Sequence, residues 1–149
     1  MHDLELWLPE QFAEDERIAL AASNRSWIEQ DNIIELYPER EDDGFLGFPT
    51  RKDARHAANW QPERALAEIR SKRAMLDSIV GERHAVVEDG WYTCPAATEE
   101  QDGGACYDED REGGPCDCGR DSRVAQQLWI MTMPYTKRPG FKASWSPVV

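Results

Sequence analysis

The sequence has no uninterrupted apolar run of about 18 residues, the length a bilayer-spanning helix requires, so no membrane span is expected. It is also short of positive charge, with 17 Lys and Arg against 29 Asp and Glu and a formal net charge of −12. Sequence-independent binding of nucleic acid draws on a surplus of cations, and this balance disfavours it. Neither Gly-Gly pair is followed by the Lys-Ser/Thr that a phosphate-cradling loop needs, which argues against a nucleotide enzyme. The serines form no nucleophile elbow, and no cysteine carries a flanking signature that marks it as a nucleophile. The three histidines, His2, His56 and His84, show no spacing of a helix-borne metal pair. The opening MHDLELW is acidic where a secretory signal is basic, and a cytoplasmic protein is expected.

What is present suits one folding unit. The 149 residues, 40% apolar and 31% charged, have room for a single core, and one domain over residues 1–149 is expected. Charge alternates along the chain: residues 1–43, 44–80, 81–120 and 121–149 carry −10, +3, −8 and +3. Such blocks can neutralise one another across a fold or, alternatively, present a surface to a basic partner.

The pattern predicts an α+β fold of three to four helices with one or two short β-hairpins. In DLELWLPEQFAEDERIALAA, Leu4, Leu8, Phe12, Ile18 and Ala22 fall near helical spacing. Pro9 lacks a backbone donor, so this helix is expected to start near Leu8 after a short lead-in, or to kink there. Asp31-Asn32 between Trp27-Ile28 and Ile33–Tyr37 reads as a hairpin turn. GFLGFP is a short strand or packing segment, and residues 51–60 are compatible with helix. PERALAEIRSKRAMLDSIV is opened by Pro62 and closed by Gly81. Its stripe of Ala65, Leu66, Ile69, Leu76, Ile79 and Val80 supplies a core face, expected to meet Phe12 and Leu128. Its Arg64, Arg70, Lys72 and Arg73 form a basic edge that can face the acidic first helix. HAVVE and WYT, around Glu88-Asp89-Gly90, suggest a second hairpin. A last helix is expected from Asp121 or Ser122 as cap, with Val124, Leu128 and Met131 on one face, widened by Trp129 and Met133. Tyr135, Phe141 and Trp145 offer packing anchors in the tail, while Trp60 and Trp91 suit either packing or an interface.

All four cysteines, Cys94, Cys106, Cys116 and Cys118, lie in one acidic, glycine-rich stretch, residues 94–120, with almost no apolar residue of useful period. A loop of this length needs something other than ordinary packing to hold it. Thiolates with a neutral imidazole, supplied ten residues upstream by His84, form the soft tetrahedral shell that zinc takes, and its binding free energy can replace a core. The gaps of eleven, nine and one residues include no C-x-x-C knuckle. Disulfides or free thiols are the alternatives, disulfides being disfavoured in a cytoplasmic setting. The run from Asp108 resembles the start of a calcium loop, but its twelfth position is Gly119 and not a bidentate Glu.

With these segments laid out, the chain resembles a family of small actinobacterial and actinophage proteins known as a domain of unknown function. The resemblance rests on DLELWLPEQFAEDERIALAA followed by Trp27, on HAANWQPERALAEIRSKRAML, on PCDCGRDSRVAQQL and on MPYTKRPGFKASW. Where the family commonly introduces its second helix with His-Asp-Pro, this chain has Trp60, Gln61 and Pro62, so the Asp cap is missing. The family tail, Pro-Tyr-Ala-Asp-His-Pro-Gly-Tyr with a following Trp, is matched at Pro134, Tyr135, Pro139, Gly140 and Trp145, with Phe141 for the second Tyr. Lys137 and Arg138 replace its Asp and His, which argues against a histidine ligand or base there. His56 falls where the family often has His. The family's His after the second helix and its cysteines before the last helix are matched by His84, Cys94, Cys106, Cys116 and Cys118. The resemblance implies no activity.

The leading expectation is a non-catalytic interaction module with a structural zinc site and a protein partner, an accessory protein of a phage or mobile element. One alternative is a metal-dependent hydrolase with an open coordination position and Asp117 or Glu88 as base. Another is an acidic mimic or inhibitor of a basic partner. The oligomeric state is not legible.

Overall fold

The computed structural model describes residues 2–23, 25–37, 44–86, 92–97 and 110–145. Among them are four α-helices, α1 (His2–Ala22), α2 (Arg51–Asn59), α3 (Pro62–Val80) and α4 (Arg120–Thr132). One antiparallel sheet has the order β1 (Ser26–Gln30), β2 (Ile33–Tyr37), β3 (Phe45–Gly47). The class is α+β, as the sequence predicts. The chain forms two compact units, one of residues 1–8 with 75–149 and one of residues 9–74. No helix among the described residues is long and apolar enough to cross a membrane.

In the unit of residues 9–74, β1 and β2 pair with Trp27 opposite Leu36 and Glu29 opposite Ile34. The two-residue turn is possible because Asp31 adopts a positive φ of 54°, a conformation that Asp and Asn tolerate better than most residues. Asn32 fastens β3 by accepting from the Phe48 N–H at its carbonyl and donating from its amide to the Phe48 carbonyl. Thr50 caps α2, its hydroxyl accepting from the Asp53 N–H and donating to the Asp53 carboxylate. Helix α3 begins at Pro62 and ends before Gly81, as its sequence signals require. Phe12, Ala19, Ile34, Leu36, Ala54 and Ile69 are buried. Arg73 binds Glu16 at 2.7 Å, so the basic edge of α3 does meet an acid of α1.

In the other unit, Leu4, Trp7, Leu8, Leu76, Ile79, Val124, Leu128 and Tyr135 are buried. Trp7 lies in an aromatic cluster with Tyr135, Phe141 and Trp145, its ring 6.4, 6.1 and 5.1 Å from theirs. Its indole N–H donates to the Pro139 carbonyl at 3.2 Å, and Lys142 binds Asp3 at 2.6 Å. The lysine's hydrogen bond and charge hold the Asp3 carboxyl below its usual range.

Several expectations are corrected. Helix α1 starts at His2 and carries Pro9 inside it, because burial of Leu4, Trp7 and Leu8 at helical spacing outweighs the lost backbone donor. On the same helix Ile18 is 51% exposed and Ala19 takes the inward position. Helix α4 is entered from Gly119 with no side-chain cap, and Asp121 lies in its first turn. Met133 is exposed and does not widen the face of α4. Of the second hairpin, the described residues hold an antiparallel bridge between Val86 and Thr93, and its Glu88-Asp89-Gly90 turn lies outside them.

Gly140 adopts a φ of 82°, and a Cβ there would lie 2.9 Å from the Trp7 indole nitrogen. Gly140→Ala is therefore expected to lower unfolding free energy by at least about 1–2 kcal/mol. Leu76→Ala, which empties a buried site, is expected to cost about 2–5 kcal/mol. Denaturant midpoints at constant slope check both.

Candidate metal centre

The described part of the cysteine stretch is fastened at several points by its backbone. The Val86–Thr93 bridge continues into a bond from the Cys94 N–H to the Ala85 carbonyl at 3.0 Å. A tight turn follows, closed by the Ala97 N–H on the Cys94 carbonyl at 2.9 Å. The Gly113 N–H reaches the Pro95 carbonyl at 2.8 Å and draws the segment from residue 110 against this turn. Gly113 and Gly119 both adopt positive φ, 74° and 78°, where a side chain is strained, and they bracket the stretch that carries Cys116 and Cys118.

These constraints bring His84, Cys94, Cys116 and Cys118 together, with one ligand atom of each within 4.8 Å of all the others. The Nδ1 atom of His84 is 3.5 Å from the Cys94 sulfur and 3.6 Å from the Cys118 sulfur. The sulfurs of Cys116 and Cys118 are 3.6 Å apart. A tetrahedron built with zinc–sulfur bonds near 2.3 Å and zinc–nitrogen bonds near 2.0–2.1 Å has edges of about 3.8 Å between sulfurs and about 3.6 Å between sulfur and nitrogen. These three spacings match such edges, and all four donors lie within 4.8 Å of one another, close enough to share one ion. Cys94 is fully buried, and the His84 side chain is only 8% exposed. Of the five residues singled out in the sequence, four are assembled, while Cys106 lies outside the described residues.

The surroundings favour thiolate charge at Cys94 and oppose it at Cys118. Burial pushes the Cys94 thiol up, but backbone N–H groups of Cys118, Ala96 and Asp117 outweigh it and bring the pKa down to about 6. Cys118 moves upward, because burial and the neighbouring sulfurs of Cys116 and Cys94 outweigh the N–H groups of Ala85 and Arg120. Arg123 donates to the Cys118 carbonyl at 3.1 Å and to Glu82 at 2.6 Å. Arg120 is only 16% exposed, and its guanidinium reaches the Val80 and Glu82 carbonyls at 3.0 and 2.8 Å, and Asp121 at 3.0 Å.

Sequence reasoning missed two polar groupings. Asp121, expected as a helix cap, instead places its carboxylate 3.8 Å from His84 Nε2, on the side of the ring opposite the sulfurs. Asp117, considered as a base, accepts from the Tyr92 hydroxyl and from Arg111, which hold its carboxyl below the usual range. The same carboxylate pushes the Tyr92 hydroxyl up. Only the proximity of Asp121 to the cysteines in sequence hinted at the first, and the distance from Tyr92 to Asp117 concealed the second. The remaining histidines, His2 and His56, lie on helices, are exposed and stand outside the cluster.

Residues 1–147 match a family of unknown function, DUF6221. No curated protein and no solved structure gives a significant match.

In metal-free protein, the depressed Cys94 pKa means that the unfolded chain binds more protons than the folded one between about 6 and 9.0. The stabilisation Cys94 contributes is then complete above 9.0 and lost as pH falls through about 6. Ultraviolet titration of the thiolates is expected to show a step near 6 that is absent from Cys94→Ala.

Proposed function

We propose that this chain, which belongs to DUF6221, a family of unknown function, is a non-catalytic interaction module whose cysteine stretch is pinned by a structural zinc ion. The observation that carries this reading is the convergence of His84, Cys94, Cys116 and Cys118 within 4.8 Å of one another, with three of their spacings at the edges of a zinc tetrahedron. Three thiolates and an imidazole are a soft donor set that suits zinc, and four protein donors fill its shell without leaving the open position of a catalytic site. The carboxylates next to the site are already engaged, Asp117 by Tyr92 and Arg111 and Asp121 by Arg120, which makes them poor general bases. Both points favour the structural role over the hydrolase.

On this reading the ion fixes a stretch that apolar burial cannot fix, and the surface so ordered serves a protein partner. The net charge of −12 disfavours nucleic acid as that partner. Reduced thiols fit a cytoplasmic setting. An accessory role on an actinobacterial phage or mobile element is the biological setting proposed.

Elemental mass spectrometry of protein purified without added metal is expected to give about one zinc per chain. Removal by a chelator should make thiols reactive that are protected in the native protein, with loss of thermal stability, since metal binding contributes to folding. Cys94→Ser, Cys116→Ser, Cys118→Ser and His84→Ala should each lower metal content. Cys106→Ser should not, because four donors are assembled without it. Metal-free protein with freely reactive thiols would sink the proposal.

A further inference from the structure

His84 offers Nδ1 to the sulfurs, which commits the opposite ring nitrogen, Nε2, to an outside partner. That nitrogen faces Asp121 Oδ1 at 3.8 Å. An imidazole that ligates through one nitrogen must carry its proton on the other, and a carboxylate there fixes the tautomer, aims the ring and makes the ligating nitrogen more basic. The same carboxylate oxygen receives Arg120 Nη1 at 3.0 Å. The remaining donors of that guanidinium bind the Val80 carbonyl, in the last turn of α3, and the Glu82 carbonyl just beyond it. Hydrogen bonds thus run from the end of α3 through Arg120 to Asp121, and an ion-pair spacing of 3.8 Å completes the path to His84. The sequence contains nothing that requires Arg120 to turn inward; its low exposure and three acceptors show that it is built into the junction.

We infer that Asp121 is a positioning residue of the metal centre, holding His84 as an Nδ1 ligand with its proton on Nε2, and that Arg120 holds Asp121 in place. The inference rests on the metal reading above. It goes beyond it by assigning a role to two residues that touch no metal, and by fixing which nitrogen of His84 ligates. Asp121 also lies in the first turn of α4, where a carboxylate stabilises a helix whatever the metal does. The two roles make different predictions about His84.

The test uses the full chain, zinc as the probe and a chromophoric chelator as competitor, with nitrogen-15 NMR of the imidazole to identify the protonated nitrogen. Zinc-loaded wild type is expected to show His84 ligated at Nδ1 and protonated at Nε2, with that proton protected from exchange. Asp121→Ala should weaken zinc binding by about 10- to 100-fold and expose the Nε2 proton to rapid exchange. Asp121→Asn retains an acceptor oxygen without the charge and should fall between the two. Arg120→Gln should shift affinity in the same direction by less. Should Asp121→Ala not fold, the Asn and Arg120 variants carry the comparison. Ligation through Nε2 would overturn the inference, as would wild-type zinc affinity and proton protection in the Asp121 variants. Wild type that binds no zinc would instead refute the metal reading itself.

Discussion

The structure around the cysteine stretch depends on the meeting of four soft donors at one point. Without it, residues 92–97 and 110–119 have little apolar surface to hold them: Cys94, Pro95 and Ala97 are buried, but the acids and glycines of residues 110–119 have no core to join. Backbone bonds at Gly113 and Ala97 guide the chain, yet each exchanges a bond to water for one to protein and yields only about 0.5–1.5 kcal/mol net. An ion that binds the folded arrangement and not the unfolded one adds its binding free energy to folding. With an ion bound, His84 and the clustered cysteines would perform the task that apolar side chains perform around Leu8 and Leu128.

Such a site concentrates negative charge. Three thiolates exceed the charge of one divalent ion, and Asp117 and Asp121 lie next to them in a chain already at −12. Bringing these groups together would be unfavourable without compensation, and the structure supplies it locally. Arg111 binds Asp117, Arg120 binds Asp121, and Arg123 binds Glu82 while donating to the Cys118 carbonyl. Exposed pairs of this kind contribute little to stability by themselves. Arg120 differs because it is largely buried and satisfied by two backbone carbonyls as well as a carboxylate, so its removal would leave several acceptors unpaired at once.

What could be read from the sequence divides according to the range of the forces involved. Helix α3 matches its expected bounds at both ends because Pro62 and Gly81 act on their own backbones. The β1–β2 hairpin was legible for the same reason, through the turn preference of Asp31 and Asn32. The starts of α1 and α4 differ from the expected ones, the first through distant contacts and the second through the conformation of a single glycine. The first turns of α1 are helical around Trp7, whose partners lie more than 120 residues away, and α4 starts at Arg120 because Gly119 can adopt a positive φ. The metal candidates were legible as composition, since clustered cysteines with one histidine imply a soft site wherever the chain runs. Which oxygen would sit behind His84 was not, because the path of the chain into α4 determines it.

The tail shows how a local conformation and a distant contact can depend on each other. Trp7 can donate to the Pro139 carbonyl because the following residue, Gly140, turns at positive φ and presents no Cβ to the indole ring. Phe141 and Trp145 then pack at 6.1 and 5.1 Å from Trp7, and Lys142 reaches Asp3. Each feature is modest alone, but all of them are lost together if Gly140 cannot turn. A helix with a proline in its interior is a weak element by propensity. Its first turns persist because the tail encloses Trp7, so the stability of the start of α1 is set by residues at the opposite end of the chain.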